Sequence, residues 1–214
     1  MALPIAPVLG ETEPPDPAEH VYDQDNALDI MELCAGCHGE YGQGGGDGEY
    51  PRLAGKPAKY LAKQMRAFKS GARESIVMAP YANEREMPEK DLLDISIFLA
   101  EIDLPSRMPV IDPDLDSYEK LLIASRVFNV PRLEGDFAAG KDLYDRQCKK
   151  CHGTTAAGKG SAPGLMGQFS EYIRLQIGFF LNGERQYKPM DKYLKLLTAE
   201  DVDALLAYLS IADD

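Results

Sequence analysis

The segments "LCAGCHG" (33–39) and "QCKKCHG" (147–153) constrain this chain more than any other feature, because they hold all four of its cysteines and two of its three histidines. A disulfide framework would not repeat one spacing with a histidine attached, and a chain of 214 residues does not need such staples. A zinc site could use Cys-x-x-Cys twice, but it asks for no histidine directly after each second cysteine and no glycine after each histidine. A redox dithiol is usually single and sits in a βαβ setting, which the sequence does not show. Cys-x-x-Cys-His is the spacing of c-type haem attachment. Two thiols about one helical turn apart add to the two vinyl groups of one haem, and the next residue then faces the iron, with imidazole as the proximal ligand. Cys34, Cys37 and His38 are therefore assigned to one covalently attached haem c, and Cys148, Cys151 and His152 to a second.

Two haem modules imply that the flanking sequence repeats as well. "PRLAGKPAKYLAKQMRAFKSGAR" (51–73) aligns without gaps to "PGLMGQFSEYIRLQIGFFLNGER" (163–185) at an offset of 112 residues. Pro51/Pro163, Leu53/Leu165, Gly55/Gly167, Tyr60/Tyr172, Gln64/Gln176, Phe68/Phe180, Gly71/Gly183 and Arg73/Arg185 are identical. The block reads as a loop and then a helix, since Tyr60, Leu61, Gln64, Met65 and Phe68 share one face and Gly71 is placed to end it. A second repeated element, 87–102 and 197–212, carries the apolar stripes Leu92, Ile95, Phe98, Leu99, Ile102 and Val202, Leu205, Leu206, Leu209, with Pro88 or Thr198 starting each helix. Amphipathic helices also fit 26–36 and 138–150, leading into each motif. About three helices per module, with no strand signal, make an all-α fold.

The far side of each iron needs a ligand or an opening, and Met and His are the usual ligands. His20 is the one histidine left over; it is expected to be solvent-exposed in a mobile, Pro-rich N-terminus. Met31 lies within the motif helix, and Met65 and Met87 fall on packing positions whose repeat partners are Ile177 and Leu197. Met78 and Met190 stand 112 residues apart, the same offset as the repeat, in loops between the two repeated helices. They are the expected iron ligands; the alternative is that either is a loop hydrophobe beside an open iron. A ligating imidazole donates its other N–H to an acceptor, and the carbonyls of Pro51 and Pro163 are candidates. Tyr60, Tyr172, Arg73 and Arg185 are candidates for the haem propionates, and equally for core or helix-surface positions.

With 23 Lys and Arg against 35 Asp and Glu, the chain has a net charge of −12 and no basic stripe, which excludes nucleic acid as a partner. The acidic surface fits solubility or a salty habitat, or else a redox protein partner with a basic docking patch. No apolar run is long enough for a membrane span. No signal peptide is legible after Met1. Stable covalent haem is assembled outside the cytoplasm, so a periplasmic location with the leader removed is expected. The oligomeric state stays open.

Taken together, the two motifs, the "P-x-L-x-G…Y…Q…F…G-x-R" block, the loop methionines and the closing helices resemble the diheme cytochromes c of the cytochrome c4 type. The resemblance covers roughly 25–105 and 136–212. It implies two tandem class I cytochrome c domains that face each other with haems close enough to exchange electrons, each haem His/Met-ligated, moving single electrons in the periplasm. The expected division is an acidic Pro-rich extension (1–24), a first domain (25–105), a connector (106–135) with an extra helix over 118–128, and a second domain (136–214). Extension and connector depart from the family pattern. The leading functional expectation is an electron carrier between a dehydrogenase donor and an oxidase or other high-potential acceptor. The alternatives are a haem subunit docked on an oxidoreductase, and a diheme enzyme, peroxidase or sulfur-compound dehydrogenase, with one open iron.

Overall fold

The computed structural model describes residues 13–212. Among them the chain forms helices, short 3-10 turns and isolated bridges, and no sheet.

In the first domain, α1 (Gln24–His38) runs straight through the first motif. The Asp23 carboxylate caps its start by accepting from the Asn26 N–H, which satisfies a free end donor. α2 (Ala58–Lys69) and α3 (Glu89–Glu101) correspond to the two repeated elements. α3 packs against both α1 and α2. Met31, Leu61, Ala62, Met87, Leu92, Leu93, Ile95 and Leu99 form the core between them. The packing role expected of Met87 is seen directly, Met65 lies partly buried on the same core as expected, and Met31 joins that core too.

The second domain contains α5 (Phe137–Gln147), α6 (Lys149–His152), α7 (Ser170–Asn182), α8 (Lys188–Leu194) and α9 (Ala199–Ile211). Where α1 is continuous, the equivalent helix breaks at Cys148 into α5 and α6. α5 crosses α9 so closely that a Cβ on Gly140 would lie 2.0 Å from the Ala204 carbonyl oxygen. Glycine is the residue that this crossing admits. Leu143, Tyr144, Ile173, Ile177, Phe180, Leu194, Val202, Leu205, Leu206 and Leu209 fill the core. Thr198 and Asp201 form a reciprocal capping box at the start of α9.

The connector helix α4 (Ser117–Ser125) has a capping box of its own and no buried residue. Beyond it, Phe128 wedges between the domains: its N–H donates to Pro105 O (2.9 Å), and its ring meets Phe169 at 5.6 Å between centroids.

The N-terminal extension corrects one expectation. Residues 1–12 lie outside the described part, but His20 is not the solvent-exposed residue expected. Its Nε2 lies 2.6 Å from Asp94 Oδ1, and its side chain is 17% exposed. The cause is Asp94, whose side chain is fully buried. A carboxylate out of water must collect partners, and this one draws in His20, the Asp23 N–H, Asn26 Nδ2 and Lys90 Nζ. Upstream, the Pro15 carbonyl accepts from Arg66 (2.7 Å) and Asp16 pairs with Lys59 (2.6 Å), so the extension lies along α2 and α3.

Candidate haem sites

Each motif ends its helix on the histidine, and the following glycine turns the chain at positive φ, +79° at Gly39 and +85° at Gly153. That turn, cheap only for glycine, sends the chain back past the imidazole. His38 Nδ1 lies 2.9 Å from the Pro51 carbonyl oxygen, and His152 Nδ1 lies 2.8 Å from that of Pro163. A carbonyl accepts only, so each Nδ1 carries the hydrogen and each Nε2 keeps its lone pair for a metal. Burial lowers the pKa of both imidazoles; the proline carbonyls oppose the shift, and the Lys56 charge adds to it at His152. Both are thereby biased to the neutral form that binds iron.

Burial, with Cys37 alongside, pushes the Cys34 thiol up to about 11, and burial, with Cys151 alongside, does the same for Cys148. At neutral pH both stay protonated, unlike the low-pKa thiol of a reactive redox dithiol. Cys34 and Cys148 also pack against their domain cores. Buried neutral imidazoles with one free nitrogen, beside thiols on the same helical turn, are a donor set that fits haem c.

Met78 is half-buried in a turn, its N–H bonded to Ser75 Oγ (3.2 Å) and its carbonyl accepting from Tyr81 and Ala82. Met190 is half-buried against the second core, not in a loop as expected but inside the short helix α8. Pro189 in the first turn of α8 accounts for that helix, since proline there sets the right φ and gives up a donor that would have gone unpaired.

Tyr60, Tyr172, Arg73 and Arg185 gather at the interface between the domains. Arg73 donates to Gln64 of its own domain and to Tyr172 and Gln176 of the other, at 2.8, 2.8 and 3.0 Å. Arg185 mirrors it, reaching Gln176 (2.7 Å), Gln64 (2.8 Å) and Tyr60 (3.3 Å). The backbones of Arg73 and Arg185 form an antiparallel bridge. The two repeats thus face each other as a pseudo-symmetric pair.

Sequence reasoning missed several residues at this interface. Gln64 and Gln176 were visible as identities in the repeat but carried no assigned role. Lys56 is 4% exposed and Gln168 is 6% exposed; each crosses to the other domain, and nothing in periodicity marks them. Tyr144, fully buried, braces the second haem loop by donating to Gly153 O at 2.6 Å. Its counterpart in the first motif helix is Ile30, so comparing the repeats could not reveal it.

The cytochrome c family model matches residues 26–102 and again 137–212. The thiosulfate dehydrogenase electron acceptor of Stutzerimonas stutzeri is 28% identical over 199 residues, 90% of this chain and 84% of that protein. Cytochrome c4 of Pseudomonas aeruginosa is 28% identical, over 83% of this chain and 82% of its own. Among solved structures, reduced cytochrome c4 from Pseudomonas stutzeri superposes with a TM-score of 0.70 at 21% identity, over 91% of this chain and 100% of that one. A thiosulfate dehydrogenase (TsdBA) from Marichromatium purpuratum superposes with a TM-score of 0.68 at 25% identity, covering 88% of this chain but only 40% of that chain. With the motif and its proline-held histidine present twice, the chain belongs to the cytochrome c family as a diheme, c4-type electron-transfer cytochrome with two tandem domains and two covalently bound haem c groups.

Proposed function

We propose that this cytochrome carries single electrons in the periplasm from a dehydrogenase to a high-potential acceptor such as an oxidase, with both irons closed by His and Met. The observation that carries the reading is the duplication of one constellation: a buried imidazole held by a proline carbonyl, and a half-buried methionine at the repeat offset. His38 and His152 are the proximal ligands, Met78 and Met190 the distal ones, and the four cysteines form the thioethers. When bound, each haem supplies an iron that gains or loses one electron. The protein keeps the imidazoles in one tautomer through Pro51 and Pro163. It offers Arg73, Arg185, Tyr60 and Tyr172 as polar groups toward the propionates. A six-coordinate iron changes oxidation state with little rearrangement and leaves no position for substrate, and thioether ligation raises its potential.

The names of the Stutzerimonas relative and of one from Thiomonas intermedia, 33% identical over 73% of this chain, point to thiosulfate dehydrogenase as the type of donor. A second reading, a haem subunit held permanently on such an enzyme, is favoured by the likeness to the much longer Marichromatium chain.

The test is the absorption spectrum of the ferric protein, then of the reduced protein with and without carbon monoxide. A long-wavelength iron–methionine band of two-haem strength, lost by half in Met78→Ala and by half in Met190→Ala, supports the carrier. A carbon monoxide adduct on one haem of the parent protein sinks it in favour of an open iron. Co-purification with a dehydrogenase at fixed stoichiometry would favour the second reading.

A further inference from the structure

The pseudo-symmetry of the interface holds for geometry but fails for charge. The 112-residue offset that pairs Arg73 with Arg185 also pairs Lys56 with Gln168, and Arg52 with Gly164. Lys56 Nζ donates to Gly164 O at 2.6 Å, and Gln168 Nε2 donates to Arg52 O at 3.0 Å. One contact is therefore made twice. A long side chain of each domain reaches the carbonyl just after the proline that holds the other domain's proximal imidazole. In one direction the donor is an ammonium; in the other it is a neutral amide.

We infer that Lys56 is a cross-domain tuning residue, a first-domain cation that sets the reduction potential of the second-domain haem. A charge 4% exposed is screened little by water or salt. Its ammonium sits on the carbonyl next to the Pro163 carbonyl that holds His152, whereas the group in the same place beside Pro51 is the neutral Gln168 amide. The other cation nearby, Arg52, is only half-buried. Its guanidinium donates to the carbonyls of Ala54 (3.1 Å) and Leu104 (3.1 Å) and stands over the Phe128 ring. Reduction adds one electron to the iron, taken from a donor protein or a chemical reductant, and no bond forms or breaks. The iron loses one unit of positive charge, so a fixed cation beside the proximal loop favours the reduced state.

The inference rests on both irons being six-coordinate carriers, a point that the carbon monoxide experiment decides independently. The test is a redox titration of the diheme protein at pH 6, followed through the haem-methyl NMR signals assigned to each domain. Lys56→Gln gives the interface the same neutral donor in both directions. At a fixed potential, the oxidised-to-reduced ratio of the second haem rises about tenfold, equivalent to about 59 mV for one electron, and that of the first haem moves far less. Lys56→Arg keeps the parent ratio. Gln168→Lys lowers the ratio at the first haem instead, and both shifts persist in high salt. Equal movement of both haems, no movement, or the same shift in Lys56→Arg as in Lys56→Gln overturns the inference. If Lys56→Gln does not assemble, Gln168→Lys decides alone: a selective shift of the first haem supports the coupling, and its absence refutes it.

Discussion

At the residue scale, buried polar groups are few and draw partners from far along the chain. Asp94 is the clearest case. Burial pushes its carboxyl up, but hydrogen bonds from Lys90, Asn26, the Asp23 N–H and His20 outweigh that and hold it at about 2, below the ordinary 3.8. The sign follows from the depressed value. The unfolded chain takes up a proton first, so the contribution is complete above pH 3.8 and is lost as pH falls toward 2. Asp94→Ala leaves Lys90 and His20 without their buried partner and releases the extension from α3. The expected loss is about 3 kcal/mol, the low end for breaking a buried charged network. Denaturant melts of parent and variant at neutral pH check it, and an unchanged midpoint would mean that the extension is not anchored through Asp94.

At the scale of elements, the second domain depends on one close crossing. Gly140→Ala on α5 drives a methyl into the Ala204 carbonyl of α9. Helix backbones cannot yield as a side-chain tip can, so the helices must part, at about 1–3 kcal/mol. Thermal unfolding should show a lower midpoint for the second domain, with the first unchanged. The sequence made much of this architecture legible. Apolar stripes and start signals fixed α3 and α9 nearly to the residue, while α2 and α7 were marked by an apolar face and a terminating glycine, with no stated start. The histidines could be picked from the motif, and their proline carbonyl partners from spacing. What stayed hidden was of another kind. The close approach at Gly140 depends on how α5 meets α9, and no sequence signal marked the break at Cys148. α8 was taken for a loop because seven residues give too short a period to read. His20 was misjudged because its partner, Asp94, lies 74 residues away.

At the scale of the whole molecule, the interface is where the sequence said least and the structure adds most. The repeat identities marked Arg73, Arg185, Gln64, Gln176, Tyr60 and Tyr172; the family resemblance implied that the domains face each other, but neither said that these residues form the contact. Each guanidinium bonds a glutamine of its own domain and two side chains of the other, and a charged hydrogen bond contributes about 1.5–3 kcal/mol. The double variant Arg73→Ala/Arg185→Ala should therefore let the domains separate, seen as a larger radius of gyration in small-angle scattering with both haems still bound. Lys56 adds a pH dependence to the same interface. Burial, with the Arg52 charge nearby, lowers its pKa to about 7 from the ordinary 10.5. Between those values the unfolded chain holds a proton that the folded chain lacks, so stability rises with pH across that window. Below pH 7 both forms are charged, and the full penalty of burying an ammonium is present; above 10.5 neither is. Lys56→Met keeps the stem packed and removes the charge, at the cost of an unpaired Gly164 carbonyl, about 1–3 kcal/mol. Guanidinium melts at pH 6 and pH 9.5 separate the two effects. The parent should gain stability between the two pH values and the variant should not, so the difference between them moves in the parent's favour as pH rises. Parallel behaviour of the two proteins would mean that Lys56 titrates near its ordinary value, and that water reaches the interface which these contacts close.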